Sequence, residues 1–480
     1  MLIYLDSKKN VESFGGNKSM RKLAVRTNKL WKKVATKKTK VIGDNRWLLQ
    51  LIDDQNVVTD VSYNKNNLTT VARNTMCVVC KGAKALCGKV RCPIIVRAKY
   101  YFKAMPLLEN LDIDGASPPG VFVGRIGYPY VYAGPLVPPV HEDTRQYDLP
   151  ELWFGKSMDD IVGFRSILLR GKYRVHVKKF ENAGKIMDMT RELALSISPI
   201  DVELGLKKKP NRALVLDDEI QPYGPSAPIR EMRVVPSRWD HRIEKAYNDT
   251  DLKTAEAVKG LFERGVMVSR IQRAFSVGSF GLKDNRRLVP TRWSITAVDS
   301  ILSKDLMEKV KTFPEINEFR VFESRYLDNR FEVLMIPNAW SYEAMEAWYP
   351  GTVWNPSGQR IVMFSDWEPY EGRTTYASIG GCYYAARLAV CELLTKERRQ
   401  ATVIVLREAH PGYIMPVGVW QVRENVRNAM RQIPLKYNTL DEALERISSQ
   451  FQIPLEQWIE DSKLLQDALF QKRLTDYLKI

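Results

Sequence analysis

Residues 379–406 read Ile379-Gly380-Gly381-Cys382-Tyr383-Tyr384-Ala385-Ala386-Arg387-Leu388-Ala389-Val390-Cys391-Glu392-Leu393-Leu394-Thr395-Lys396-Glu397-Arg398-Arg399-Gln400-Ala401-Thr402-Val403-Ile404-Val405-Leu406. The glycine pair introduces a helix predicted over 382–394, and the apolar, β-branched run 401–406 predicts a strand. A shorter apolar run, 361–364, predicts another strand upstream. Downstream, 422–430 reads as a helix, and Thr439-Leu440-Asp441-Glu442 carries the Thr-x-x-Glu spacing of a capping box. Pro454 then starts a last helix with Leu455, Trp458, Ile459, Leu465 and Leu469 on one face.

Toward the N-terminus the mixture continues. Residues 331–336 predict a strand, and 254–264 a helix with Ala257, Val258, Leu261 and Phe262 on one face. Ser157 is the expected N-cap of a helix burying Ile161, Phe164, Ile167 and Leu168, and 183–196 predicts a further helix. Residues 121–125 have strand character. The alternating stretch 127–135, followed by Pro138-Pro139, predicts a hairpin with glycine and proline at its tip. Strands and helices do not alternate regularly, so the fold class is α+β.

The expected organisation is a basic segment 1–75, a cysteine knuckle 76–105, a mixed body 106–435, helices over 436–470 and a tail 471–480. The loop-like stretch 207–228, with Lys207-Lys208-Lys209-Pro210 and Pro222-Tyr223-Gly224-Pro225, is the expected internal boundary, although an insertion within one fold would look the same.

The net charge of +17 is concentrated at one end. Residues 1–103 hold 22 Lys and Arg against 6 Asp and Glu, and the rest of the chain holds 51 against 50. A basic end on a neutral body points to a polyanion, with nucleic acid the usual case, or to a solvated tail without a partner. No apolar run approaches the roughly 18 residues of a membrane span, and no secretory signal is evident, so a soluble cytoplasmic protein is expected. Because Met76 immediately precedes Cys77, residues 1–75 read equally as an extension from a misplaced start.

Four of the six cysteines fall in sixteen residues: Cys77, Cys80, Cys87 and Cys92. The C-x2-C-x6-C-x4-C spacing, with small and basic residues between, suits four thiolates around a structural zinc ion. Two disulfides or inert buried thiols are the alternatives. Lys81, Lys84, Lys89 and Arg91 make the knuckle basic and candidates for nucleic-acid contact, as are Arg286, Arg287 and Arg292 around Trp293. A folded ion-pair network explains the second group equally well.

No phosphate loop, HExxH or GxSxG pattern is present. Asp366, Glu368 and Arg373 could hold a catalytic divalent metal beside a phosphate, or form a solvated loop with ion pairs. His410 after the strand could do acid–base work or serve structurally. In the tail, Gln471, Leu474, Tyr477 and Leu478 fit Q-x-x-Ψ-x-x-aromatic-hydrophobic, which resembles the peptide that docks on the replication sliding clamp. One helical turn would present Leu474, Tyr477 and Leu478 as an apolar plug, with Gln471 at the rim. Leucine at 478 departs from the second aromatic common in such peptides.

The knuckle, the tail and three longer runs together resemble the archaeal Nre family. Those runs are Asn285-Arg286-Arg287-Leu288-Val289-Pro290-Thr291-Arg292-Trp293-Ser294, Gly381 to Val390, and Val417-Gly418-Val419-Trp420-Gln421-Val422-Arg423-Glu424. The resemblance covers about residues 76–480 and gives no place to 1–75. It implies DNA damage repair, sliding-clamp (PCNA) binding through the tail and a zinc-finger-like N-terminus; the location expected is cytoplasmic and nucleoid-associated. The resemblance supplies no catalytic residues. Three expectations follow: a DNA-contacting repair factor recruited to the clamp, a metal-dependent nuclease or nucleotide-processing enzyme, and a zinc-stabilised adaptor without DNA contact.

Overall fold

The computed structural model describes residues 70–72, 80, 82, 84, 86, 87, 89–210, 214–216, 221–355 and 359–471. Cys77, Lys81, Leu474, Tyr477 and Leu478, and the whole of 1–69, lie outside the described residues.

Two six-stranded sheets organise the chain. The first takes β2 (Asp112–Ser117), β3 (Val121–Val123), β4 (Tyr130–Val137), β5 (Leu169–His176), β6 (Ile200–Leu206) and β8 (Ser226–Val234) in the order β2-β6-β8-β5-β4-β3. Only β5–β8 is parallel. A separate parallel pair joins β1 (Thr70–Ala72) to β7 (Leu214–Leu216). The stretch between the end of β6 and the start of β8 joins two neighbouring strands of one sheet. One sheet face is buried by Ala104 and Leu108 of α1 (Pro93–Leu108) and by Met187 and Leu193 of α3 (Lys185–Leu195). The other face is covered at one end, where Leu136 packs with Tyr147 and Leu168, and meets solvent at the other, so β4 begins with an out-in alternation, Tyr130 and Tyr132 exposed and Val131 and Ala133 buried.

The second sheet runs β12-β11-β13-β10-β9-β14, built from β9 (Phe319–Tyr326), β10 (Asn329–Ile336), β11 (Ser341–Trp348), β12 (Val362–Glu368), β13 (Thr402–Ala409) and β14 (Leu435–Tyr437). Both faces are covered. α4 (His241–Asn248), α5 (Thr254–Glu263), α6 (Val268–Ser276), α7 (Thr291–Val310), α8 (Gly381–Glu397) and α9 (Trp420–Arg431) bury one face. α10 (Leu440–Gln450), α11 (Leu455–Asp461) and α12 (Lys463–Phe470) bury the other. This is why β13 is buried at every position and reads as a continuous apolar run. A third cluster joins the halves: Val96 of α1 and Ile161 of α2 (Met158–Ser166) pack with Trp348, Tyr413 and Trp420.

The two predicted caps form as full capping boxes, Ser157 with Asp160 and Thr439 with Glu442. The last helix is two helices. Ser462 ends α11 and caps α12, its Oγ accepting from the Leu465 amide while donating to Glu343 at 2.6 Å. Buried Glu343 also accepts the Lys463 and Leu464 amides at 2.9 Å, so a carboxylate in β11 fixes the break. Among the described residues, no helix is long and apolar enough to cross a membrane.

Candidate nucleic-acid interface

Acidic residues on the first sheet lie toward one edge, where Arg230 pairs with Asp112 (3.2 Å) and Arg233 with Glu203 (3.7 Å). At one edge stand Asp112, Asp114, Asp201 and Glu203, all exposed, with His141 between Asp114 (3.2 Å) and Asp201 (3.0 Å). These carboxylates raise the His141 pKa, chiefly through the hydrogen bond to Asp201. Toward the other edge, β4 and β5 contain no acidic residue. Their register pairs Tyr130 with His176 and Tyr132 with Arg174. The Tyr130 and His176 rings meet edge to face at 4.9 Å, the Arg174 guanidinium lies 5.4 Å from the Tyr130 ring centre, and the Lys172 ammonium lies 5.9 Å from that of Tyr132.

Among the described residues, no acidic side chain pairs with Lys172 or Arg174. Burial lowers the Lys172 pKa, and the charged groups acting on it, Arg170 and Lys208, are both cations that lower it further. Lys207, Lys208 and Lys209 stand exposed after β6, the Lys207 amide bonding to the carbonyl of Pro228, which β8 sets opposite Lys172. A positive field without counter-charge at exposed rings is what a phosphate backbone with accessible bases would complement.

The surface continues onto the second half of the molecule. The turn between β3 and β4 exposes Arg125 and sets the Tyr128 ring 5.5 Å from Trp293. The Val123 amide donates to Thr291 Oγ1 at 2.9 Å and ties β3 to the start of α7. That first turn has no acid, exposes Arg292 and Trp293, and presents the positive end of a 20-residue helix. Arg292 also acts on Tyr376, which is 65% exposed and packs 5.6 Å from Tyr384.

The structure sorts the cations that the sequence singled out. Arg292 belongs to this surface, and Arg287 is half-buried near it. Arg286 is buried and donates to the carbonyls of Gly281 (2.9 Å), Tyr247 (2.7 Å) and Asp249 (2.9 Å), so it closes a loop and faces no ligand. Lys89 is buried, Lys84 is exposed, and Arg91 grips Asp159 with two bonds of 2.7 and 3.0 Å, docking the knuckle onto α2. Lys172, Arg174, Tyr130 and Tyr132 were not singled out. The available signal was the Tyr-x-Tyr and Lys-x-Arg alternation in strands that pair.

At the knuckle, the Lys84 amide bonds to the Cys80 carbonyl at 3.3 Å, and Gly82 takes φ +73°. A Cβ on Gly82 would sit 2.6 Å from Ile95 Cδ1 and 3.5 Å from Cys92 Sγ, so glycine lets the chain close over that sulfur. Cys92 precedes α1. Burial raises its thiol pKa, the Ile95 and Ile94 amides oppose this, and Cys87 and Cys80 are near enough to raise it further. Among the described residues, no group of three His, Cys, Asp or Glu is arranged to hold a metal ion. Gln471 is exposed and ends α12, its amide bonding to the Asp467 carbonyl at 3.1 Å.

The four candidate catalytic residues are dispersed or already bonded. Asp366 is held by Arg373 at 2.8 Å; burial raises its pKa, but Arg373 and the Ser378 amide outweigh it and the net is lowered. Glu368 is fully buried on Arg387. Asp366 lies level with Val405 of β13, five residues and so about 16 Å along the strand from His410. His410 bonds Glu408 at 2.9 Å and stacks on Tyr349 at 4.4 Å.

The family models described as "Archaeal Nre, N-terminal" and "Archaeal Nre, C-terminal" match residues 86–355 and 368–477. The chain is 41% identical to DNA repair protein NreB of Archaeoglobus fulgidus over 390 residues, 81% of this chain and 96% of that protein. It is 36% identical to NreA of the same organism over 373 residues (78% and 93%) and 35% identical to NreA of Haloferax volcanii over 357 residues (72% and 85%). No solved structure matches. The protein belongs to the archaeal Nre family.

Proposed function

We propose that this protein is a DNA repair factor that holds DNA on the basic aromatic face formed by β4, β5 and the start of α7. The observation that carries the reading is Lys172 and Arg174 beside the exposed rings of Tyr130 and Tyr132, on two strands that hold no acidic residue. The relatives named DNA repair proteins support the process. Nucleoid association follows from DNA contact. The test is DNA binding as a function of salt. The Lys172→Ala/Arg174→Ala double variant should bind about tenfold more weakly, with a salt slope shallower by about 2. An unchanged slope would rule this face out.

Two further parts belong to the reading. Cys77, Cys80, Cys87 and Cys92 hold a structural zinc, supported by their soft sulfur donors and spacing and by Gly82, which lets the chain close over Cys92 Sγ. Native mass spectrometry should find one zinc per chain; intact protein without zinc contradicts this. The tail docks on the sliding clamp through Gln471, Leu474, Tyr477 and Leu478. Tyr477→Ala should weaken clamp binding at least tenfold by calorimetry, since buried aromatic anchors dominate such contacts. Equal affinity would rule the plug out.

A further inference from the structure

We propose that the β4–β5 face takes unpaired DNA and stacks its bases on Tyr130 and Tyr132. The inference rests on the DNA-binding reading above and adds the form of DNA recognised. Three features point to it. First, the platform is too wide for a duplex groove: six strands about 4.8 Å apart span roughly 24 Å, twice the roughly 12 Å width of the major groove, which admits only a two-stranded ribbon. A duplex would touch this sheet by its phosphates alone, with the rings idle.

Second, the rings stand two residues apart on one strand, about 6.6 Å, roughly twice the ~3.4 Å step between stacked bases of one strand. That interval suits a single strand drawn out so that each ring receives one base, and no base pair can open to it without unstacking. Tyr130 is 51% and Tyr132 46% exposed, unusually free for aromatics in a paired strand. Third, the cations sit where the backbone would run: Arg174 and Lys172 lie diagonally beside the rings. The carboxylates at the opposite edge of the sheet are engaged by Arg230, Arg233 and His141, whereas β4 and β5 hold cations and no acidic residue, which makes these two strands the path of the backbone. Trp293, 46% exposed beside Tyr128, extends the platform in the direction of the turn.

The experiment uses the full chain with a 20-nucleotide oligo-dT and the same oligonucleotide annealed to oligo-dA, followed by fluorescence anisotropy. Wild type should prefer the single strand by at least tenfold. Tyr130→Ala/Tyr132→Ala should remove about tenfold or more of the single-strand affinity while leaving the duplex affinity and salt slope unchanged. Tyr130→Phe/Tyr132→Phe should restore it, which separates stacking from any folding defect. Equal affinity for both forms in wild type, or no loss in the alanine variant, overturns the stacking proposal while the charge-based reading stands. If Lys172→Ala/Arg174→Ala leaves both forms bound as before, the face itself is wrong and both readings fall.

Discussion

Arg407→Ala should destabilise the fold by about 3–5 kcal/mol, the cost typical of stripping one partner from a buried charge pair. Arg407 lies in β13 and is 3% exposed. Its Nη1 donates to Glu346 Oε1 at 2.8 Å, its Nε and Nη2 donate to Asn329 Oδ1 at 2.9 and 2.7 Å, and Nη2 reaches Gln421 Oε1 at 3.3 Å. The guanidinium lies 4.6 Å from the Trp348 ring centre and 5.6 Å from those of Phe331 and Tyr413. These partners come from β10, β11 and α9, so one side chain fixes the mutual placement of three elements. Alanine leaves the buried Glu346 carboxylate without its cationic partner, with the Trp348 Nε1 bond at 3.2 Å and the Cys382 thiol beside it. Lysine keeps the charge but cannot reproduce a planar fork that reaches three acceptors, so Arg407→Lys should fall between wild type and alanine. Urea unfolding followed by tryptophan fluorescence gives the comparison; an unchanged midpoint for alanine would mean that the pair is held by something other than this guanidinium.

How much of this fold was legible depends on what each segment packs against. α8 and β13 could be read because a glycine pair and a β-branched run mark them locally. α10 could be read because its cap is a sequence pattern. α7, the longest helix among the described residues, was not: it packs against α5, α6 and α8, so its apolar residues form no single stripe. β11, Ser-Tyr-Glu-Ala-Met-Glu-Ala-Trp, consists largely of good helix formers. It is a strand because it lies between β12 and β13 and because Glu343 and Glu346 find buried partners there. Tertiary partners decide such a segment, and no local preference reveals them.

The interface shows the same limit. Arg286 and Arg292 are six residues apart in one basic run, yet one donates to three backbone carbonyls and the other stands in solvent. Residue type cannot distinguish them, since the difference lies in where the loop after α4 passes. The alternation of Tyr130 and Tyr132 indicated a half-buried strand. Which half faces water depends on α1 and α3 covering the Val131 side.

The same double coverage that hid β11 creates a pH response at Glu332. This residue lies in β10 under the α10 side of the sheet, 1% exposed, with no hydrogen-bond partner for Oε2 among the described residues. Burial, then the cross-strand neighbour Glu323, pushes its pKa up to about 9, against the partial relief of Arg446 and Arg325. The unfolded chain would release this proton near 4.5, so between about pH 4.5 and pH 9 the native state holds a proton that the unfolded state has lost. Stability should therefore fall as pH rises through that window and level off above it, at up to about 1.4 kcal/mol per pH unit from this group alone. Glu332→Gln keeps the shape and has no proton to lose. At pH 5 it should match wild type closely, and at pH 8 it should be more stable by on the order of 3 kcal/mol. Comparing the two proteins at each pH cancels the titration of every other group, so the widening gap isolates Glu332. A gap of the same size at pH 5 and pH 8 would mean that the carboxyl is ionised in the fold, with its charge balanced by Arg446 and Arg325.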